Sequence, residues 1–169
     1  MTSDVGTGLY QLGLQYQHSG DLLLDHLTGN KEVHLPACFL YSHAAELFMK
    51  SFLALKGVNQ KQLRSYGHEL ADLYDACEKL GLTIAFTNQR VLRQLIVMMK
   101  SGHTEYQFRY SGKSFNTATT SRMRRDLSTL ASAVGAKIEN QRKIREAEAK
   151  AAGFVVFDIP MKIIVGIGP

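Results

Sequence analysis

Apolar residues recur three or four positions apart in one segment after another, and most of these segments end at a glycine, a pattern that leaves little room for anything but packed helices. Residues 7–27 carry Leu9, Leu12, Tyr16, Leu23 and Leu27 in such a stripe and predict an amphipathic helix stopped at Gly29 and Asn30. Pro36 suits the first turn of a second helix, where its missing N–H leaves no bond unmade. That helix continues through Phe39, Leu40, Ala44, Leu47, Phe48 and Leu55 to Gly57. A loop is expected next, then a third helix from about residue 67 with Leu70, Leu73, Tyr74, Cys77 and Leu80 inward and Gly81 as its stop.

Thr87 or Asn88 caps a fourth helix over residues 91–99, whose apolar residues exceed a single stripe. A helix apolar around most of its circumference packs against two surfaces, and in a chain of 169 residues the second surface is expected to be another copy. Residues 102–116 are polar with interleaved Tyr106, Phe108, Tyr110 and Phe115 and predict a bent extension and loop. A long fifth helix covers residues 119–151, with Met123, Leu127, Leu130, Val134 and Ile138 inward and the stripe fading beyond Ile138. After Gly153, residues 154–165 are β-branched and aromatic and favour a strand. The expectation is an all-α, up-and-down bundle of about five helices over residues 1–152, with an extended or strand-like apolar tail over 153–169.

Composition removes several alternatives. Two Cys at helical apolar positions, without CxxC spacing or a nearby His pair, predict buried free thiols in a reducing compartment rather than a zinc site or a disulfide scaffold. No metal and no cofactor is expected. The first residues show neither a basic nor an apolar signal region, and the apolar tail is interrupted by Asp158, Pro160 and Lys162, so no membrane association and a cytoplasmic location are expected. The net charge of +5 is uneven: residues 1–60 sum to −2, 61–118 to +3 and 119–169 to +4. Arg122, Arg124, Arg125, Arg142, Lys143 and Arg145 all fall on the fifth helix, which predicts either a solvated face or an electrostatic surface for phosphates.

Chemistry-bearing patterns are few. Gly112-Lys113-Ser114 ends like a phosphate-binding loop, but Gln107 stands where the first glycine belongs and no strand precedes it. On the second helix His43, Glu46 and Lys50 share one face at i, i+3 and i+7, and their expected partners are His68, Glu69 and Arg109. A structural polar network tying helices together is the simpler reading of this face, catalysis the sharper one. His18, His26, His34 and His103 are assigned to the surface.

The segment Tyr41-Ser42-His43-Ala44-Ala45-Glu46-Leu47-Phe48-Met49-Lys50-Ser51-Phe52-Leu53, then Gly57, then Gly67-His68-Glu69-Leu70 with Leu73, resembles the HEPN domain (higher eukaryotes and prokaryotes nucleotide-binding). Glu105-Tyr106-Gln107-Phe108-Arg109-Tyr110 is similar to a segment after the fourth helix in one branch of that family. The resemblance covers about residues 8–135 and implies a helical bundle, commonly a homodimer, that handles RNA or nucleotides. Many HEPN proteins are metal-independent ribonucleases, often toxins of toxin–antitoxin pairs with a nucleotidyltransferase, that use an Arg and a His with four to six residues between them. Here Arg109 is followed by no His in that window, and Arg64 has only three residues between it and His68, at a helix start far from the usual place, so the ribonuclease motif is absent.

The resemblance therefore implies a non-catalytic homodimeric module for RNA, a nucleotide or a partner protein, its cleft lined by Arg109, Tyr110, Lys113 and His68 and supplemented by the basic fifth helix. Two alternatives stand beside it. One is a metal-independent endoribonuclease with His68 as base and Arg109 as phosphate stabiliser. The other is a purely protein-binding partner of a nucleotidyltransferase, docked through the apolar tail.

Overall fold

A computed structural model describes residues 2–26, 34–84, 89–103 and 117–153. Among these residues lie six α-helices and no strand: α1 (Thr2–His26), α2 (His34–Leu55), α3 (Gln60–Ser65), α4 (Leu70–Lys79), α5 (Gln89–His103) and α6 (Thr117–Ala151). The fold is all-α. The chain divides into two compact units, residues 1–138 and residues 139–169. The division falls where the apolar stripe of α6 ends at Ile138. The expected apolar tail lies outside the described residues, as do residues 104–116.

In the first unit α2 is the central element, buried along almost its whole length by Ala37, Cys38, Tyr41, Ala44, Ala45, Phe48, Met49, Phe52 and Leu53. Each large apolar side chain so enclosed stabilises the fold by about 1.5–3 kcal/mol. Close approach of α1 requires small residues: a Cβ on Gly13 or Gly20 would fall 2.7 Å from the Phe48 or Tyr41 ring. Leu70, Leu73, Tyr74 and Cys77 of α4, Leu92, Leu95, Ile96 and Met99 of α5, and Met123, Leu127, Leu130 and Val134 of α6 complete the same core. Gly57 and Gly81 end α2 and α4 with φ of +88° and +83°. Beyond them the N–H groups of Val58 and Leu82 reach back to the Leu53 and Cys77 carbonyls at 3.0 and 2.9 Å, closing both helix ends as their glycines predict.

Two elements depart from the sequence reading. The stretch expected as a loop after Gly57 contains α3, whose only strong signal is a capping box: Asn59 accepts from the Gln62 N–H at 3.0 Å and Gln62 from the Asn59 N–H at 3.2 Å. Six residues with the single buried apolar Leu63 are too short to show a period. On α5, Arg90, Arg93, Gln94 and Lys100 form a polar face, and Val97 is the one exposed apolar side chain among those described. No helix among the described residues is long and apolar enough to cross a membrane.

Both thiols are free and buried. Burial pushes the Cys38 thiol up to about 11 and Cys77 further in the same direction.

Candidate functional site

The polar face of α2 turns toward the α3–α4 turn. The Glu46 carboxylate is almost fully enclosed, its side chain 4% exposed. Lys50 Nζ donates to Glu46 Oε1 at 2.6 Å and to the Gly67 carbonyl at 2.8 Å, so one ammonium ties α2 to the turn. His68 Nδ1 bonds to Glu46 Oε2 at 2.9 Å, and His43 Nδ1 stands 3.7 Å from the same oxygen. A buried carboxylate is tolerated only where donors replace its water, and this one receives them from two directions. Because an ionised carboxylate only accepts, His68 donates to it through Nδ1–H. The His68 side chain is 51% exposed, so the ring sits at the protein surface with its inner nitrogen anchored.

His43 is held by rings as well as by charge. Tyr16 of α1 meets it edge-on at 4.4 Å between centroids, and Phe39 lies parallel to it at 6.2 Å. The structure thus brings His43, Glu46, Lys50 and His68 together. Glu69, named as a further partner, instead faces Lys100 of α5 at 3.7 Å. Arg109, Tyr110 and Lys113 lie outside the described residues. Tyr16 and Phe39 were not singled out from the sequence, where aromatic residues on apolar stripes read simply as core.

The arginines of α6 are engaged. Arg124 grips Asp25 through both terminal nitrogens at 2.7 and 3.0 Å and reaches Asp21 with Nε at 3.1 Å. Arg122 and Arg125 both bond the buried Asp126, at 3.4 and 3.0 Å. In the second unit Arg142 pairs with Glu139 and Glu146. A guanidinium with a carboxylate partner has less to offer a phosphate, so the expected electrostatic surface along this helix is largely compensated from within. Among the described residues the exposed cations that make no ion pair include Lys61 and Arg64 of α3, next in the chain to the His68 turn.

His34, assigned to the surface from sequence, is buried: it is 6% exposed, with Nδ1 3.1 Å from the Thr120 hydroxyl. Its partner lies 86 positions away, beyond any local pattern. His18 is exposed as expected, and the side chains of His26 and His103 lie outside those described. Among the described residues no group of three or more His, Cys, Asp or Glu side chains is placed to hold a metal ion. Comparison with family models, with curated proteins and with solved structures finds no match to the chain.

Proposed function

We propose that the chain is a HEPN-like helical module that binds RNA through its phosphates at the α3–α4 turn, without cleaving it. The observation that carries this reading is the anchored imidazole: a buried carboxylate holds the half-exposed His68 by Nδ1, on a turn that follows the exposed Lys61 and Arg64. Phosphate recognition needs donors and cations held in place, and contacts of this kind supply affinity without reading sequence. Arg109, Tyr110 and Lys113 extend the reading, since bases stack on rings while cations meet the backbone. The missing His after Arg109 supports binding without chemistry.

Titration of labelled single-stranded RNA at two salt concentrations tests this. Affinity falls as salt rises, because bound cations displace counterions. Arg64→Ala and His68→Ala weaken binding, whereas Arg142→Ala, whose guanidinium is already paired, leaves it unchanged. Absence of salt-dependent binding at micromolar protein overturns the reading.

The Glu46–His68 bond also favours a second reading, because it fixes the tautomer that a general base requires. In that reading His68 and Arg109 form a metal-independent endoribonuclease. Chelator-resistant cleavage of RNA but not DNA, lost in His68→Ala and in Arg109→Ala, distinguishes it from binding alone.

A further inference from the structure

We propose that RNA binding at the α3–α4 turn takes up a proton, because the form of His68 that meets a phosphate is the imidazolium held by Glu46. The inference rests on the RNA reading of the same turn and adds to it a coupling to pH.

Glu46 determines where that proton goes. His68 Nδ1–H is committed to Glu46 Oε2 at 2.9 Å, so a second proton on the ring enters at Nε2. The ring then carries a positive charge, and its side chain is 51% exposed, against 23% for His43 beside the same carboxylate oxygen. His43 Nδ1 stands 3.7 Å from Oε2, beyond hydrogen-bond length, and its ring packs against Tyr16 and Phe39. Of the two imidazoles, His68 is therefore the one more open to a polyanion.

The charges around the turn make a charged His68 depend on a further anion. Lys50 already answers Glu46 through Oε1 at 2.6 Å, so a protonated His68 leaves this cluster with one positive charge in excess. Lys61 and Arg64, which precede the turn on α3, carry the same sign. Glu69 and Lys100 of α5 answer each other at 3.7 Å, and Asp72, exposed in the first turn of α4, opposes the excess. A backbone phosphate in contact with the ring supplies the missing anion and favours the charged form. The coupling is reciprocal: if phosphate holds the proton, the proton strengthens the hold on phosphate by the same factor.

Fluorescence anisotropy of a labelled oligouridylate, measured with the full chain at fixed ionic strength, tests the coupling. Its bases and phosphodiesters do not titrate between about pH 5 and 8, the range in which imidazoles change charge. The parent is expected to bind more tightly as pH falls through that range, by several-fold overall and by at most about tenfold per pH unit, the limit for one proton. His68→Arg keeps a cation at every pH and is expected to bind without the slope, and His68→Ala to bind weakly, also without it. His43→Asn is expected to keep the slope. Salt-dependent binding of constant affinity across the range overturns the coupling and leaves the RNA reading standing. A slope that survives both His68 variants overturns it in the same way, since another group then titrates. Absence of binding at every pH overturns both.

Discussion

Two clusters of charge in this protein are built from the same parts and differ in where they stand. In the first unit Glu46 receives Lys50 at 2.6 Å and His68 at 2.9 Å; in the second, Arg142 holds Glu139 at 2.9 Å and Glu146 at 2.8 Å. The distances are nearly equal. The Glu46 side chain, however, is 4% exposed, against 46% for Glu139. Around Glu139 and Arg142, water replaces whichever partner is lost. Around Glu46 it has little access, so the same deletion strands a charge. Burial, rather than the number or length of the bonds, sets what each cluster contributes.

The sharpest way to break this comparison is Glu46→Ala. It leaves Lys50, whose side chain is only 14% exposed, without its carboxylate and is expected to destabilise the fold by about 3–5 kcal/mol in urea denaturation. Adding Lys50→Met to that variant is expected to recover part of the loss, because it removes the stranded charge as well. A cost for Glu46→Ala as small as that of a surface substitution would show that water reaches the carboxylate after all.

Alkaline pH tests the same principle on groups that are buried neutral. Burial raises the Cys38 thiol from 9.0 to about 11 in the folded chain, against the opposing effect of its Thr120 contact. Tyr41, Tyr74 and Cys77 are raised too, again chiefly by burial. The folded state therefore binds more protons than the unfolded one above the unfolded value. Stability from Cys38 is full below pH 9.0 and is lost between there and about pH 11, by about 2–3 kcal/mol. Cys77 and the two tyrosines lose stability over the same window, so the Cys38 share is the difference between parent and Cys38→Ala in how far the denaturation midpoint falls across it, the variant falling less. An unchanged profile in that variant would mean that the thiol is not sheltered.

A steric version of the contrast lies on the two faces of α1. Gly20→Ala drives a methyl to 2.7 Å from the buried Tyr41 ring and is expected to cost about 1–3 kcal/mol by overpacking. Gly8→Ala meets nothing within 4 Å and is expected to stabilise the helix by up to about 1 kcal/mol. Thermal midpoints moving in opposite directions would establish which face of α1 is packed; shifts of the same sign would contradict the close approach to α2.

How far sequence reaches into this molecule depends on how far apart the interacting residues are. The helices of the core were legible because their apolar stripes are local, and so was the common face of His43, Glu46 and Lys50. His68 was reachable because the α3–α4 turn follows soon after α2. Burial of His34 was not legible, since Thr120 joins it only through the tertiary fold. Nor was the gripping of Arg124 by Asp25, 99 positions away, which is why α6 reads as a basic surface in sequence and as a compensated one in structure. Part of that difference could have been seen. Arg122 has Asp126 at i+4 and Arg142 has Glu139 and Glu146 at i−3 and i+4, whereas Lys61 and Arg64 have no acid at those spacings.

The smallest effect belongs to Arg142→Ala, and it matters because the pair is geometrically good. Its guanidinium meets Glu139 through two nitrogens, at 3.0 and 2.9 Å, and these bonds hold the Glu139 carboxyl below its usual range. By geometry alone the variant should cost as much as a deletion at Glu46. Exposure argues otherwise: the Arg142 and Glu139 side chains are 51% and 46% accessible, so each exchanges its partner for water with little change in free energy. The expected result is a thermal midpoint indistinguishable from the parent at physiological salt, with a small loss emerging only at low ionic strength, where screening no longer masks the pair. A loss comparable to that of Glu46→Ala would mean that bond geometry outweighs burial.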